Sequence, residues 1–178
     1  MASEDMNGDV EAALLEAKLF ALPGPIAVSA CLAGLPTRYD GSHKAHSVVA
    51  RLLAAGKAIP LCPEQLGGLP TPRKPYERYE GRVLDPDGGD VTEAFELGAE
   101  AAVALCKQAG VRAAVLQPRS PSCGSGMVYD GTFSGVLVPG NGVFAQKLAE
   151  AGIELVNVQE FEACGSAPDD QAASRPQA

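Results

Sequence analysis

Short apolar runs alternate with longer segments of helical periodicity along most of this chain. IAVSACL (26–32), KAIPLC (57–62), RAAVLQP (112–118) and IELVNV (153–158) are too short for stable helices and largely apolar, as strands buried on both faces are. HSVVARLLAAG (46–56), VTEAFELGAEAAVALCKQAG (91–110) and GNGVFAQKLAEAG (140–152) carry apolar residues at helical spacing, and each ends on glycine. Asp90 or Thr92 is placed to cap the second of them. Strands joined through helices of this length pair in parallel, because the crossover needs a dozen residues or more. The expectation is one α/β domain, a mostly parallel, doubly wound (Rossmann-like) sheet with flanking helices and right-handed crossovers.

The pattern holds over residues 26–163. Residues 1–25 read as an N-terminal extension in which DVEAALLEAKLF (9–20) forms an amphipathic helix that Pro23 and Pro25 end. Residues 164–178 lack apolar periodicity and are expected to be disordered. Within the domain, 64–81 reads as a long proline-rich loop and 81–90 as a hairpin or an irregular excursion. No internal repeat is visible, and no apolar run reaches the ~18–20 residues of a membrane span. The acidic start resembles neither a secretory signal nor a transit peptide, so a cytoplasmic location is the expectation. Either a monomer or a homodimer is compatible with the pattern.

A net charge of −8 argues against a protein that mainly grips a nucleic-acid backbone. The balance is uneven, however. Between Arg38 and Arg82 lie Lys44, Arg51, Lys57, Arg73, Lys74 and Arg78 against the acids Asp40, Glu64, Glu77 and Glu80. This stretch is either a local patch for small anions or RNA, or a solvated mixed-charge surface.

Five cysteines in a chain without a secretion signal favour metal binding or thiol chemistry over a disulfide scaffold. Cys31 ends the first expected strand, Cys62 ends the second, and Cys123 lies in the loop after the third. The carboxyl ends of parallel strands share one edge, where ligands bind, so the three can converge there. Cys106 shares a helical face with Phe95, Ala99, Ala102 and Val103 and reads as a core thiol. Cys164 is assigned no role. There is no C-x-x-C pair, and His43 and His46 stand near a helix start as solvated or capping residues, so a four-ligand zinc site is poorly matched. Three thiolates fit a cubane iron–sulfur cluster that keeps one iron free of protein ligands, a Lewis acid suited to a soft atom such as sulfur. The other reading is three inert thiols at strand ends. RSPSCGSG (119–126) surrounds Cys123 with small residues whose backbone N–H groups are expected to face an anionic cluster.

VSACLAGLPTRYDG (28–41), CPEQLGGLPTPR (62–73), DVTEAF (90–95), RSPSCGSGMVYDGTFSG (119–135) and GNGVFAQKLAEAGIEL (140–155) resemble, in this order, the motifs of the thiouracil desulfidase family, formerly a domain of unknown function numbered 523. The resemblance implies a [4Fe–4S] cluster held by Cys31, Cys62 and Cys123. It also implies non-redox, hydrolytic removal of sulfur from a thiolated pyrimidine such as 2- or 4-thiouracil, releasing the oxo-base and sulfide. Many relatives carry a further cysteine where this chain has Thr37, a residue that supplies no thiolate.

Glu64, two residues after Cys62, is the candidate general acid/base; the plainer reading is a capping or surface glutamate. Ser120 and Ser122 either hold the base and the attacking water or bond their own loop. Arg38, Tyr39 and Asp40 are candidates for substrate binding, with Tyr39 stacking on the ring. A turn at Asp40–Gly41 explains Asp40 equally well, and Tyr129 and Asp130 pose the same choice. The TPR of 71–73 is placed to line the entrance. The expected substrate is thus a small thio-nucleobase. The alternatives are desulfidation of 4-thiouridine in tRNA and a non-catalytic iron–sulfur or metal-binding protein. A thiol redox protein is disfavoured by the lack of vicinal cysteines.

Overall fold

The structure is a computed structural model that describes residues 2–161, with side chains from residue 10 onward. The predicted tail and Cys164 lie outside the described residues. In chain order the regular elements are α1 (Ala2–Ala21), β1 (Ile26–Ser29), α2 (Ser47–Ala54), β2 (Ala58–Leu61), α3 (Pro63–Leu66), β3 (Glu77–Tyr79), β4 (Arg82–Leu84), α4 (Thr92–Ala109), β5 (Ala113–Leu116), β6 (Met127–Tyr129), β7 (Leu137–Pro139), α5 (Val143–Glu150) and β8 (Glu154–Asn157). Short 3-10 turns follow β1 (Ala30–Ala33) and β8 (Val158–Phe161).

Four of these strands form the central sheet, in the order β2-β1-β5-β8, and every pairing is parallel. Strand side chains alternate between the two faces. Ala27, Ala114 and Leu116 meet Phe95, Ala99, Ala102 and Cys106 of α4 and Phe144 and Leu148 of α5. Ile26, Val28, Ala113 and Val115 meet Val48, Val49 and Leu52 of α2 and Leu19 of α1. Helices therefore cover both faces, which is why β1 and β5 are buried at every position. The doubly wound expectation holds.

Local signals act as the residues suggest with one exception: Val91, not Asp90 or Thr92, holds the N-cap position of α4 and makes no side-chain cap. His46 Nδ1 accepts the Val48 N–H and caps α2, so this histidine caps a helix. Asp90 Oδ1 accepts both the N–H and the hydroxyl of Thr92 at the start of α4, and Gly110 ends α4 at φ +72°. A hairpin forms across the expected boundary: β3, inside the 64–81 stretch read as a loop, pairs antiparallel with β4, the first part of the 81–90 excursion. A second hairpin, β6–β7, was not legible in the residues. The first strand is shorter than expected, ending at Ser29, so Cys31 belongs to the 3-10 turn beyond it.

The chain leaves β1 to pair β2 on one side, then returns through α4 to pair β5 on the other side of β1. Consecutive connections thus diverge between the carboxyl ends of β1 and β5. In open α/β sheets the crevice at such a switch point takes the ligand.

Candidate active site

Each of the three cysteines is held by a different device at that edge. Cys31 sits in the 3-10 turn closed by Gly34 at φ +87°, and its carbonyl accepts the N–H groups of Gly34 and Lys44. Cys62 is the N-cap of α3, followed by Pro63 in the first turn. Cys123 lies in a loop braced by Ser120, whose Oγ accepts the N–H groups of Ser122 (3.1 Å) and Cys123 (3.0 Å). The carbonyls of Pro121 and Ser122 accept N–H groups of Val143, Phe144 and Ala145, so the loop sits on the first turn of α5. Gly142 makes this approach possible: a Cβ there would fall 2.3 Å from the Ser122 carbonyl oxygen.

These bonds correct one expectation. The N–H groups of Ser122, Cys123 and Gly124 are used within the loop, and that of Gly126 goes to Asn141 Oδ1. The small residues of 119–126 serve a tight, self-bonded turn packed against α5 and leave those four donors no free hydrogen for a cluster.

The three thiols line one cavity of about 480 Å³ at the switch point, a volume ordinary for a small-molecule site. Cys31 and Cys123 are buried and Cys62 is half-buried; all three are free. Burial pushes the Cys31 thiol up to about 11, with Arg38 pulling it back and Cys62 adding to the rise. Burial likewise raises Cys62. Cys123 rises furthest, through burial first and then through Cys31, Cys62 and Glu64, while Ser29 opposes the rise. The thiols are near enough to sense one another's charge. Still, no three His, Cys, Asp or Glu side chains among the described residues close on a single metal ion. A cubane cluster places each thiolate on a separate iron, so its ligands stand apart, and this donor set fits it better than one zinc. Thiols this desolvated are poor redox nucleophiles, and cationic metal is what would deprotonate them.

Glu64 belongs to the cavity wall and is not a surface residue, with its side chain 11% exposed. Arg73 Nε donates to Glu64 Oε2 at 2.6 Å, and its other nitrogens donate to Thr71 Oγ1 and the Thr37 carbonyl. Burial raises the Glu64 carboxyl, and the Arg73 guanidinium pulls it partly back.

Ser122 and Ser120, adjacent candidates, behave differently. Ser122 Oγ is buried with no hydrogen-bond partner; Arg38 Nε is buried without one too, though it lies 3.9 Å from Asp40 Oδ1, and both residues line the cavity. Unpaired polar atoms in a cavity wall are free to bond a ligand or a water that enters it. Ser120 also lines the cavity, but its oxygen braces the loop. Tyr39 lines the rim and is 40% exposed. Asp40 does not line the cavity. Its Oδ1 accepts the Ser42 N–H (2.9 Å) and hydroxyl (2.6 Å), so it is a turn residue and its candidacy as a substrate ligand is withdrawn. Asp130 does the same for Thr132, whereas Tyr129 does line the cavity. Arg73 is the residue of 71–73 that reaches the wall. Thr37 is buried there, and its carbonyl lies 3.9 Å from Cys62 Sγ.

Residue chemistry alone did not single out Ser29, Gln117, Glu77 or Phe133. Ser29 Oγ accepts the Gln117 N–H at 2.9 Å across β1 and β5, and Gln117 Oε1 lies 3.9 Å from Cys31 Sγ. The signal available was position: both stand where a strand runs into a cysteine-bearing turn. The basic stretch is partly paired with acids and partly bonded to neutral oxygens. Arg51 pairs with Glu16 and Lys74 with Asp85 and Asp87, while Lys57 donates to the carbonyls of Phe20 and Leu22 and Arg78 to that of Asn141. No helix among the described residues is long and apolar enough to cross a membrane.

A sequence model of the 2-thiouracil desulfurase family matches residues 26–160. The uncharacterised protein YbbK of Bacillus subtilis (strain 168) is 41% identical over 146 residues, which span 76% of this chain and 97% of that protein. Among solved structures, the [4Fe-4S]-dependent thiouracil desulfidase TudS (DUF523Vcz) is similar, at 46% sequence identity and a TM-score of 0.73, covering 75% of this chain and 90% of that one.

Proposed function

The chain belongs to the 2-thiouracil desulfurase family, and from that premise we propose that it removes the sulfur of a small thiolated pyrimidine, 2- or 4-thiouracil, by water. The carbon–sulfur bond breaks, a carbon–oxygen bond forms from water, and sulfur leaves as hydrosulfide with no net oxidation or reduction. The observation that carries the reading is the meeting of Cys31, Cys62 and Cys123 with the Glu64–Arg73 pair in one cavity wall.

Cys31, Cys62 and Cys123 are the residues to hold a [4Fe–4S] cluster, the cofactor named for the similar TudS. When bound, such a cluster supplies one iron free of protein ligands, a Lewis acid for the substrate's sulfur. Glu64 takes the proton of the attacking water at its carboxylate and returns it toward the base. Arg73 keeps that carboxylate in one orientation through the 2.6 Å bond and limits how far burial raises it. Ser122 Oγ, without a protein partner, orients the water or the ring carbonyl. Arg38, whose Nε makes no hydrogen bond and lies 3.9 Å from Asp40 Oδ1, offers its cation to the departing sulfur anion, and Tyr39 closes the rim.

The test is anaerobic reconstitution with iron and sulfide, then 4-thiouracil and 2-thiouracil, following loss of the thio-base near-ultraviolet band together with sulfide release. Turnover with about four irons per chain supports the reading. A stable cluster without sulfide release from either base overturns it, in favour of thiolated tRNA or a non-catalytic cluster protein. The pairing of Arg51 and Lys74 with carboxylates within the protein counts against tRNA.

A further inference from the structure

The β6–β7 hairpin carries the loop DGTFSG (130–135), and one residue of it is out of character. Phe133 has φ +56°, the left-handed region that favours glycine, and its residue lines the cavity. An aromatic residue holds that conformation only where its surroundings enforce it. Here the enforcing group is Glu77 at the start of β3. Its Oε2 accepts the N–H of Gly131 and the N–H of Phe133, each at 2.9 Å. Glu77 is 8% exposed and has no ion pair among the described residues, so these two N–H groups are the partners found for its charge. The loop is also pressed onto β3: a Cβ on Gly131 would fall 2.6 Å from Tyr79 Cβ and 2.8 Å from the Arg78 carbonyl oxygen. Asp130 tightens the same turn through Thr132.

Three tyrosines, Tyr39, Tyr76 and Tyr129, share the cavity wall with Phe133, and each carries a phenolic hydroxyl, Tyr129 at the end of β6. Tyr76 packs edge-on against Phe95, at 5.6 Å between centroids and 86° between planes. Tyr39 stands at the rim. Phe133 has no ring partner among the described residues, and its side chain has only an apolar face to offer.

We propose that Phe133 is the ring on which the substrate heterocycle stacks, and that Glu77 is the positioning residue that sets it over the cavity. This rests on the thio-pyrimidine reading above. A planar base brought to a polar floor of thiols, Glu64 and Ser122 needs one flat apolar surface to fix its plane. A phenylalanine whose backbone is held by Glu77 presents that surface from a fixed point of the loop.

The test uses the reconstituted holoenzyme. KM and kcat for 4-thiouracil, calorimetric Kd for uracil and iron per chain are read on wild type, Phe133→Gly, Phe133→Tyr, Glu77→Gln, Glu77→Ala and the Phe133→Gly/Glu77→Ala double variant. Phe133→Gly removes the ring and relieves the left-handed backbone, so a folding defect is not built into it. It is expected to raise KM and the uracil Kd about tenfold or more, with iron content unchanged and kcat far less affected. Phe133→Tyr restores affinity. Glu77→Gln keeps an acceptor oxygen and stays near wild type, whereas Glu77→Ala moves KM as Phe133→Gly does. The double variant is no weaker than Phe133→Gly, because Glu77 acts through the ring. Unchanged KM and Kd in Phe133→Gly overturn the proposal, and additive losses in the double variant overturn the role of Glu77. The uracil Kd needs no turnover. A wild type that binds uracil and loses that binding in Phe133→Gly, yet releases no sulfide, overturns the desulfidase reading alone. A wild type that neither binds uracil nor turns over overturns both.

Discussion

Gly98 in the middle of α4 lies against the Pro63 carbonyl of α3: a Cβ added to it would fall 1.8 Å from that oxygen. Gly67 answers from the other side, where a Cβ would fall 1.9 Å from the Ala94 carbonyl oxygen. Two helices meet backbone to backbone, and the shorter one begins at Cys62 and carries Glu64. The distance of both residues from the sheet edge is therefore set by a glycine some thirty residues away.

Gly98→Ala accordingly damages the site from outside it. Neither clashing atom is the end of a flexible side chain, so α3 must shift. The expected loss is about 1–3 kcal/mol of stability, together with weaker iron retention. Thermal melts and iron per chain after reconstitution measure both; wild-type values for both would mean that the contact does not position Cys62.

The thiols divide into two classes. Cys31→Ala, Cys62→Ala and Cys123→Ala are each expected to abolish cluster binding and turnover. Cys106, 1% exposed in the core against the sheet, is expected to cost about 1 kcal/mol when replaced by alanine and to leave iron content and turnover intact. Iron analysis and visible absorbance separate the classes. Full activity in Cys62→Ala removes the cluster assignment.

Glu64 and Arg73 form a buried pair, so their losses differ in kind. Glu64→Gln is expected to keep the cluster and lower kcat about a hundredfold or more. Arg73→Met leaves a carboxylate buried without its cation, at about 3–5 kcal/mol of stability, before any effect on rate. A Glu64→Gln enzyme with unchanged kcat takes Glu64 out of the chemistry.

Ser122 offers a prediction of opposite signs. Its buried hydroxyl has no partner in the protein, so Ser122→Ala is expected to leave stability unchanged or to raise it by up to about 1 kcal/mol. Turnover falls in the same variant. A melting temperature that drops sharply with unaltered kcat would make Ser122 a structural residue.

The attachment of α1 is weakened by acid. Its contacts include Glu16, whose carboxyl the Arg51 hydrogen bond holds below its usual 4.5. A depressed folded value means that the tie contributes above about pH 4.5 and is lost as pH falls through the lower, folded value. Amide protection over residues 10–21, taken relative to the intrinsic exchange rate at each pH, is expected to fall below pH 4.5 in wild type, and Arg51→Ala is expected to show the lower protection already at pH 7. Identical exchange in the two proteins at pH 7 would exclude the pair as an anchor.

Much of this was legible in the residues because it depends on neighbours along the chain. Apolar runs of strand length between glycine-ended helices dictate a parallel sheet, and parallel strands bring their carboxyl ends to one edge whatever separates them in sequence. That rule selected Cys31, Cys62 and Cys123 and set Cys106 apart, since helical periodicity points it at the core. Glu64 was legible as a carboxylate next to a cysteine at that edge, and His46 as a cap. Where two readings shared one motif, local chemistry could not choose. Asp40 and Asp130 bond the turn two residues on, Ser120 braces its loop, and Ser122 stands unpaired beside it.

The remaining features belong to contacts between segments far apart in the chain. Glu77 reaches Phe133 across two hairpins, Gln117 reaches Ser29 across two strands, and Gly98 admits Pro63. None has a periodicity or a motif, because a hydrogen bond or a close approach between distant segments leaves no regular spacing in either. The sequence by itself determined the order of strands and helices, and with it which thiols arrive at one edge. Only the tertiary structure decided which polar groups are consumed in holding that edge together and which stay unpaired in the cavity, because burial and partner geometry exist only once the chain has closed.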